Sequence, residues 1–178
     1  MGCDIHLFCE RRVNYDEWEC VDRFRYNDEK AEPMIKDIND IPRYFSPTPL
    51  YNDRSYAFFT MLAGVRNSGG VEQIDDRRGL PHDTSKLVKA YADYWGTDGH
   101  SFSWYSAEEL FRHKYKLEEL EVKSEETEWA YYALCKLCKA LITRIAEEYY
   151  FDADSDYLLE EKARRYADKF RVVFWFDC

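Results

Sequence analysis

The segment RVVFWFD at 171–177 constrains the fold more than any other stretch. It is apolar on both faces, the pattern of a central strand with cover on each side of its sheet. The opposite end supplies a partner. Residues 2–13, GCDIHLFCERRV, alternate in part, with Cys3, Ile5, Leu7 and Cys9 on one face and Asp4, His6, Phe8 and Glu10 on the other. Strands at both ends with helical patterns between them predict one α+β domain over 1–178. Its small sheet holds the N-terminal and C-terminal strands as neighbours, packed against several helices.

Local signals fill in the middle. NYDE is a turn, and WECVDRF (18–24) pairs back as a hairpin. Pro33, Pro42, Pro47 and Pro49 make 26–53 an ordered loop with at most one short turn. A helix over 55–67 begins near Asp53 or Ser55, buries Phe58, Phe59, Leu62 and Val65, and is ended by NSGG. Residues 75–85 form a loop. Asp83, Thr84 or Ser85 then caps the helix KLVKAYADYW, with Gly96 as its stop. TDGHSFSWYS (97–106) passes from loop into a brief strand, and Ser106 with Glu109 forms a capping box. The strongest helix covers 125–150 and a second lies near 156–168. The acidic 118–128 stretch reads as a solvated link, and the tyrosines of this half as packing.

Hydrophobic residues at 46% of the 178 support a packed core and argue against disorder. The net charge of −10 supplies no basic face for a phosphate backbone, so direct nucleic-acid binding is not expected. A few clustered arginines still suffice for a small anion, because a site is local. No apolar run reaches membrane-spanning length. Charges at Asp4 and Glu10 argue against a signal peptide, and His6 stands where a myristoylation motif needs Ser or Thr. With Cys178 last, no prenylation box is expected. Six cysteines without a secretion signal predict reduced thiols in a cytosol.

Several polar groups are candidates for chemistry. Asp4 and His6 share a strand face, which suits a divalent metal or a base with its orienting acid; otherwise His6 is a buried ring satisfied locally. In RGLPHD, Arg78 can clamp a carboxylate or phosphate and Gly79 permits close backbone approach, or the segment is a plain turn. In DGHSFSW, His100 is an acid–base or metal candidate, Ser101 and Ser103 are donors, and Trp104 can stack on a base; otherwise these are core and turn residues. Arg54, Tyr56 and Arg66 bracket the 55–67 helix, with Arg66 reaching an anion or snorkelling. Cys135 and Cys138 form one CxxC on the apolar stripe and read as core, since zinc needs four ligands and no second pair follows.

MGCDIHLF, RSYAFFTMLAGVRN, RGLPHD, GHSFSW and VVFWFD together resemble an uncharacterised family of small phage and prophage proteins that begin MGCDIH. The motifs cover both ends and the middle. The resemblance implies a phage-borne accessory protein of the host cytosol, of the kind that counters a defence system, and no particular reaction. Two functional readings follow. In one, Asp4, His6, Arg54, Tyr56, Arg66, Arg78, Gly79, His100, Ser101, Ser103 and Trp104 surround a small nucleotide-like anion, which the protein sequesters. If it hydrolyses the ligand, His6 or His100 is the acid–base group and Asp4 its orienter, or these three hold a divalent metal. In the other, the acidic chain blocks a host nuclease or effector as an inhibitor or nucleic-acid mimic. A homo-oligomer is compatible with both.

Overall fold

A computed structural model describes residues 2–27, 35–66 and 69–178. The main sheet has the order β2-β1-β6-β5, built from β1 (Asp4–Asn14), β2 (Glu17–Cys20), β5 (His100–Ser106) and β6 (Phe170–Asp177), and each neighbouring pair is antiparallel. The strand predicted to be central is central. Phe170 through Phe176 are all buried because helices cover both faces. On one face Ile5, Leu7, Val172, Phe174 and Phe176 meet α2 (Tyr56–Ala63), α4 (Ala107–Glu118) and α5 (Glu125–Glu148) in the larger core. On the other, Phe8, Val173 and Trp175 pack on Val88, Tyr91 and Ala92 of α3 (Lys86–Trp95). The chain is therefore an α+β domain whose first and last strands are sheet neighbours, as the sequence predicts. Among the described residues no helix is long and apolar enough to cross a membrane.

Three helix starts follow their caps: Ser55, Ser85 and Ser106 each accept from the backbone N–H three residues on, and Glu109 completes the box at Ser106. Other expectations need correction. The 18–24 hairpin splits, since β2 pairs with β1 whereas β3 (Arg23–Tyr26) leaves to pair with β4 (Phe45–Thr48) in a second small sheet. The proline-rich loop thus carries a strand, a 3₁₀ turn (Ile38–Asp40) and a one-turn helix α1 (Ile41–Tyr44). Pro42 opens that turn and Pro47 sits in the two-stranded ribbon, both positions where a missing N–H is tolerated. Pro33 lies outside the described residues.

Helix α2 ends at Ala63, before NSGG, because Gly64 takes φ 64° and caps it with its N–H on the carbonyls of Phe59 and Thr60. Asn67 and Ser68 also lie outside the described residues. The 156–168 pattern divides into α6 (Asp156–Arg164) and a 3₁₀ turn (Ala167–Lys169). Not all C-terminal aromatics pack: Trp129 and Tyr132 are each 62% exposed.

Candidate functional site

Antiparallel register decides what meets at the sheet's end. Asp4 pairs with Asp177, so the residue before one lies beside the residue after the other, and His100 pairs with Phe176 on the far side of β6. Cys3, Asp4, His6, His100, Asp177 and Cys178 converge there from three strands. Cys3 and Cys178 have Cα atoms 4.2 Å apart and form a disulfide. This corrects the expectation of six reduced thiols, which rested on compartment alone. Cys9, Cys20, Cys135 and Cys138 are free.

His6 lies between Trp95 (centroids 4.1 Å, tilted) and Trp175 (5.8 Å, stacked). Its Nε2 lies 3.6 Å from Asp177 Oδ2, longer than a hydrogen bond. Burial pulls its pKa below the ordinary value, and the opposing carboxylates of Asp177 and Asp4 do not restore it. His100 turns Nδ1 to Ser101 Oγ at 3.0 Å and Nε2 to Cys178 Sγ at 3.1 Å. Ser101 has φ 56°, at a register slip between His100 and Ser103, and its hydroxyl also accepts from Arg77 at 2.9 Å.

Arg54 grips Asp4 through Nε (2.9 Å) and Nη2 (2.6 and 2.7 Å), with its side chain 51% exposed. That pairing raises its pKa. Gly2 passes so close that a Cβ there would stand 2.7 Å from Arg54 Nη1, and Arg66 Nη2 donates to the Gly2 carbonyl at 3.5 Å. Arg66 itself lies over the Tyr56 ring at 5.7 Å.

The second group of predicted residues sits elsewhere on β5. Arg78 is bound on all sides: Glu109 accepts at 2.7 and 3.1 Å, Asp75 at 2.8 and 3.3 Å, and its guanidinium covers the Trp104 and Tyr105 rings. Ser103 Oγ accepts from Arg78 N, and Gly79 N donates to the Phe102 carbonyl, so this loop runs along β5. Gly79 takes φ 76° with open space where a Cβ would be. Its conformation, not close approach, is what glycine serves there. Arg78, Gly79, Ser103 and Trp104 therefore make one structural corner, while Asp4, His6, Arg54, Tyr56, Arg66, His100 and Ser101 gather around the joined strand ends.

Arg54 forms a wall between two hollows. One, of about 370 Å³, is lined by Gly2, Asp4, Trp95, Asp98, Asp177 and Cys178. The other, of about 330 Å³, lies between the entry to α2 and the start of α5, with Tyr51, Asp53, Ser55, Trp129, Tyr132 and Lys136. Tyr51 is 4% exposed, and its hydroxyl lies toward Ser55 without finding a hydrogen-bond partner among the described residues. Burial pushes its pKa up to about 12. Lys136 Nζ meets Asp53 at 2.6 Å. Trp129, Tyr132 and Lys136 were not singled out from sequence. The one available signal is the exposed side of an otherwise apolar helix. A separate hollow of about 420 Å³ beside α4 and α6, lined by Glu108, Arg112, Tyr115 and Arg164 among others, holds none of the predicted residues.

No known protein-family model matches the chain, and no curated protein or solved structure matches it.

Proposed function

We propose that the hollow between α2 and α5 binds a small anion carrying an aromatic ring, of nucleotide type, and sequesters it. The observation that carries this reading is the company kept there. Two large rings, Trp129 and Tyr132, stand in solvent beside the cations Arg54 and Lys136, and the buried Tyr51 hydroxyl, turned toward Ser55, meets the hydrogen-bond geometry of no partner among the described residues. Stacking on an exposed ring contributes about 1–3 kcal/mol per base. Asp4 engages Nε and Nη2 of Arg54 and fixes the plane of its guanidinium at the edge of the hollow. Among the described residues the lining of this hollow holds no histidine, and the proposal is one of binding. Together with the phage-type resemblance, it describes an accessory protein that removes a signalling nucleotide from a host defence.

The test is a thermal-shift and calorimetric panel of mononucleotides, dinucleotides and cyclic dinucleotides, with Arg54→Ala and Trp129→Ala alongside. A true ligand at a hundred times its dissociation constant stabilises the fold by about 2.7 kcal/mol. Either substitution should weaken it by roughly tenfold or more. No stabilisation by any compound, or unchanged affinity in Trp129→Ala, overturns the reading.

A second reading has its own observation. Glu118, Glu119, Glu121, Glu125, Glu126 and Glu128 are all exposed where α4 passes into α5, next to Trp129. An acidic, aromatic-edged corner suits a basic protein surface. Pull-down of a basic host nuclease or effector that charge reversal at Glu119 and Glu121 abolishes, with no nucleotide bound, would establish that reading in place of the first.

A further inference from the structure

We propose that, with its cysteines reduced, the junction of β1, β5 and β6 is a zinc site formed by Cys3, Cys178 and His100. Among the described residues this is the group of three whose ligand atoms, two Sγ and one imidazole nitrogen, lie within 4.8 Å of one another. Zinc bonds thiolate at about 2.3 Å and imidazole at about 2.0–2.1 Å, so the ligands of a tetrahedral ion stand roughly 3.3–3.8 Å apart. In the disulfide form His100 Nε2 stands 3.1 Å from Cys178 Sγ, and parting the two sulfurs on reduction moves the three ligand atoms toward that spacing. Two soft sulfurs and one nitrogen select zinc over magnesium or calcium. Asp4 and His6, the other metal candidates of the sequence, are not part of it.

Three features support the assignment beyond proximity. His100 already directs Nε2 at Cys178 Sγ, 3.1 Å away. Its other nitrogen faces Ser101 Oγ, which also accepts from Arg77. With that hydroxyl taking the Nδ1 proton, Nε2 presents its lone pair to the sulfurs, the arrangement by which a neighbouring acceptor sets the tautomer of a metal-bound histidine. The left-handed backbone at Ser101 puts the hydroxyl in that place, which gives a reason for an uncommon conformation in a non-glycine residue. Finally, Cys178 is exposed and lies beyond the last laddered residue, Asp177, so its sulfur is free to separate from Cys3 once the bond between them is cut. Three protein ligands leave one tetrahedral position, next to the hollow lined by Asp4, Asp98 and Asp177. That is the pattern of an open rather than a purely structural site.

The chemistry balances simply. A small dithiol reduces the Cys3–Cys178 bond to two thiols and is itself oxidised to a cyclic disulfide. Zn²⁺ then displaces one proton from each thiol. The cysteine pair is therefore either bonded sulfur to sulfur or ligated to the ion, never both.

The experiment uses the full chain, reduced and desalted anaerobically, titrated with Zn²⁺ against a chromophoric chelator and with Co²⁺ for its tetrahedral visible bands and sulfur charge-transfer absorption. We expect one ion per chain, lost in Cys178→Ser, and affinity about tenfold lower in Ser101→Ala and lower still in His100→Ala. Cys135→Ser with Cys138→Ser should bind like the native chain. Cys3 is buried and its replacement could disturb the core, so the deciding variant is the exposed Cys178→Ser, checked for native circular dichroism. Failure of the reduced native chain to bind an ion stoichiometrically, or full retention in Cys178→Ser, overturns the site. Neither result bears on Arg54 or Trp129, so the nucleotide proposal stands or falls separately.

Discussion

Glu10 Oε2 and Arg171 Nε stand 2.7 Å apart at paired positions of β1 and β6, and neither side chain reaches solvent to any useful extent. The network around them is complete. Glu10 also accepts from Ser85 N at 2.8 Å, while Arg171 reaches Asp83, which holds the Trp18 indole. Breaking a buried pair leaves an uncompensated charge, so Glu10→Ala should cost about 3–5 kcal/mol. Replacing both partners with apolar residues should cost less than the two single changes together. Urea unfolding of the four chains checks both statements.

A second prediction concerns pH. Asp22 is buried with Cys9 N donating to it at 2.7 Å, and burial raises its pKa to about 7. A carboxyl that holds its proton more tightly when folded stabilises the fold below its unfolded pKa. That contribution is lost as pH rises through about 7. His6 and His113 have pKa values lowered by burial, so their contribution is present above 6.5 and declines as pH falls below it. Between pH 5 and 7 the two effects oppose one another. Asp22→Asn should remove the loss of stability that Asp22 imposes between its unfolded pKa and about 7, so stability should rise more steeply with pH from 5 to 7, as denaturant midpoints from pH 5 to 8 will show.

Capping supplies a third. Ser106 accepts from Glu109 N at 3.2 Å while Glu109 returns the bond to Ser106 N at 2.8 Å. Glu109 also anchors Arg78. Ser106→Ala should cost about 0.5–2 kcal/mol. Glu109→Ala should cost more than Ser106→Ala, because it also strips Arg78 of a carboxylate. Thermal melts of the two variants decide the order.

What was legible in the sequence follows range of interaction. The caps at Ser55, Ser85 and Ser106 are local, and the two-faced apolar run at 171–177 announces burial whatever covers it. The ribbon of β3 and β4 was hidden, because Pro47 argues against a strand unless its partner is known. The site was half legible. Asp4, His6 and His100 are visible as chemistry, but their meeting depends on the register of β1 and β5 on β6, which residue spacing does not encode. Arg78 reads like an anion clamp until Glu109 and Asp75 are seen to occupy it. Tyr132 was hidden because the tyrosines of this half read as packing, and nothing local to Trp129 marks it as exposed.

The Cys3–Cys178 bond closes a sequence separation of 175 residues. Removing such a constraint on the unfolded chain should lower stability by about 2–5 kcal/mol on reduction. Cys178→Ser should abolish the difference between reduced and oxidised protein. Chemical denaturation with and without a dithiol checks it.

The same bond sits at the mouth of an antiparallel strand pair, with Asp4 against Asp177 as the first rung. A tensile load applied at residues 3 and 178 would therefore unzip β1 from β6 one backbone bond at a time when the sulfurs are apart, the weakest way to resist stretching. When they are joined, the covalent link carries the load and the domain behind it feels none.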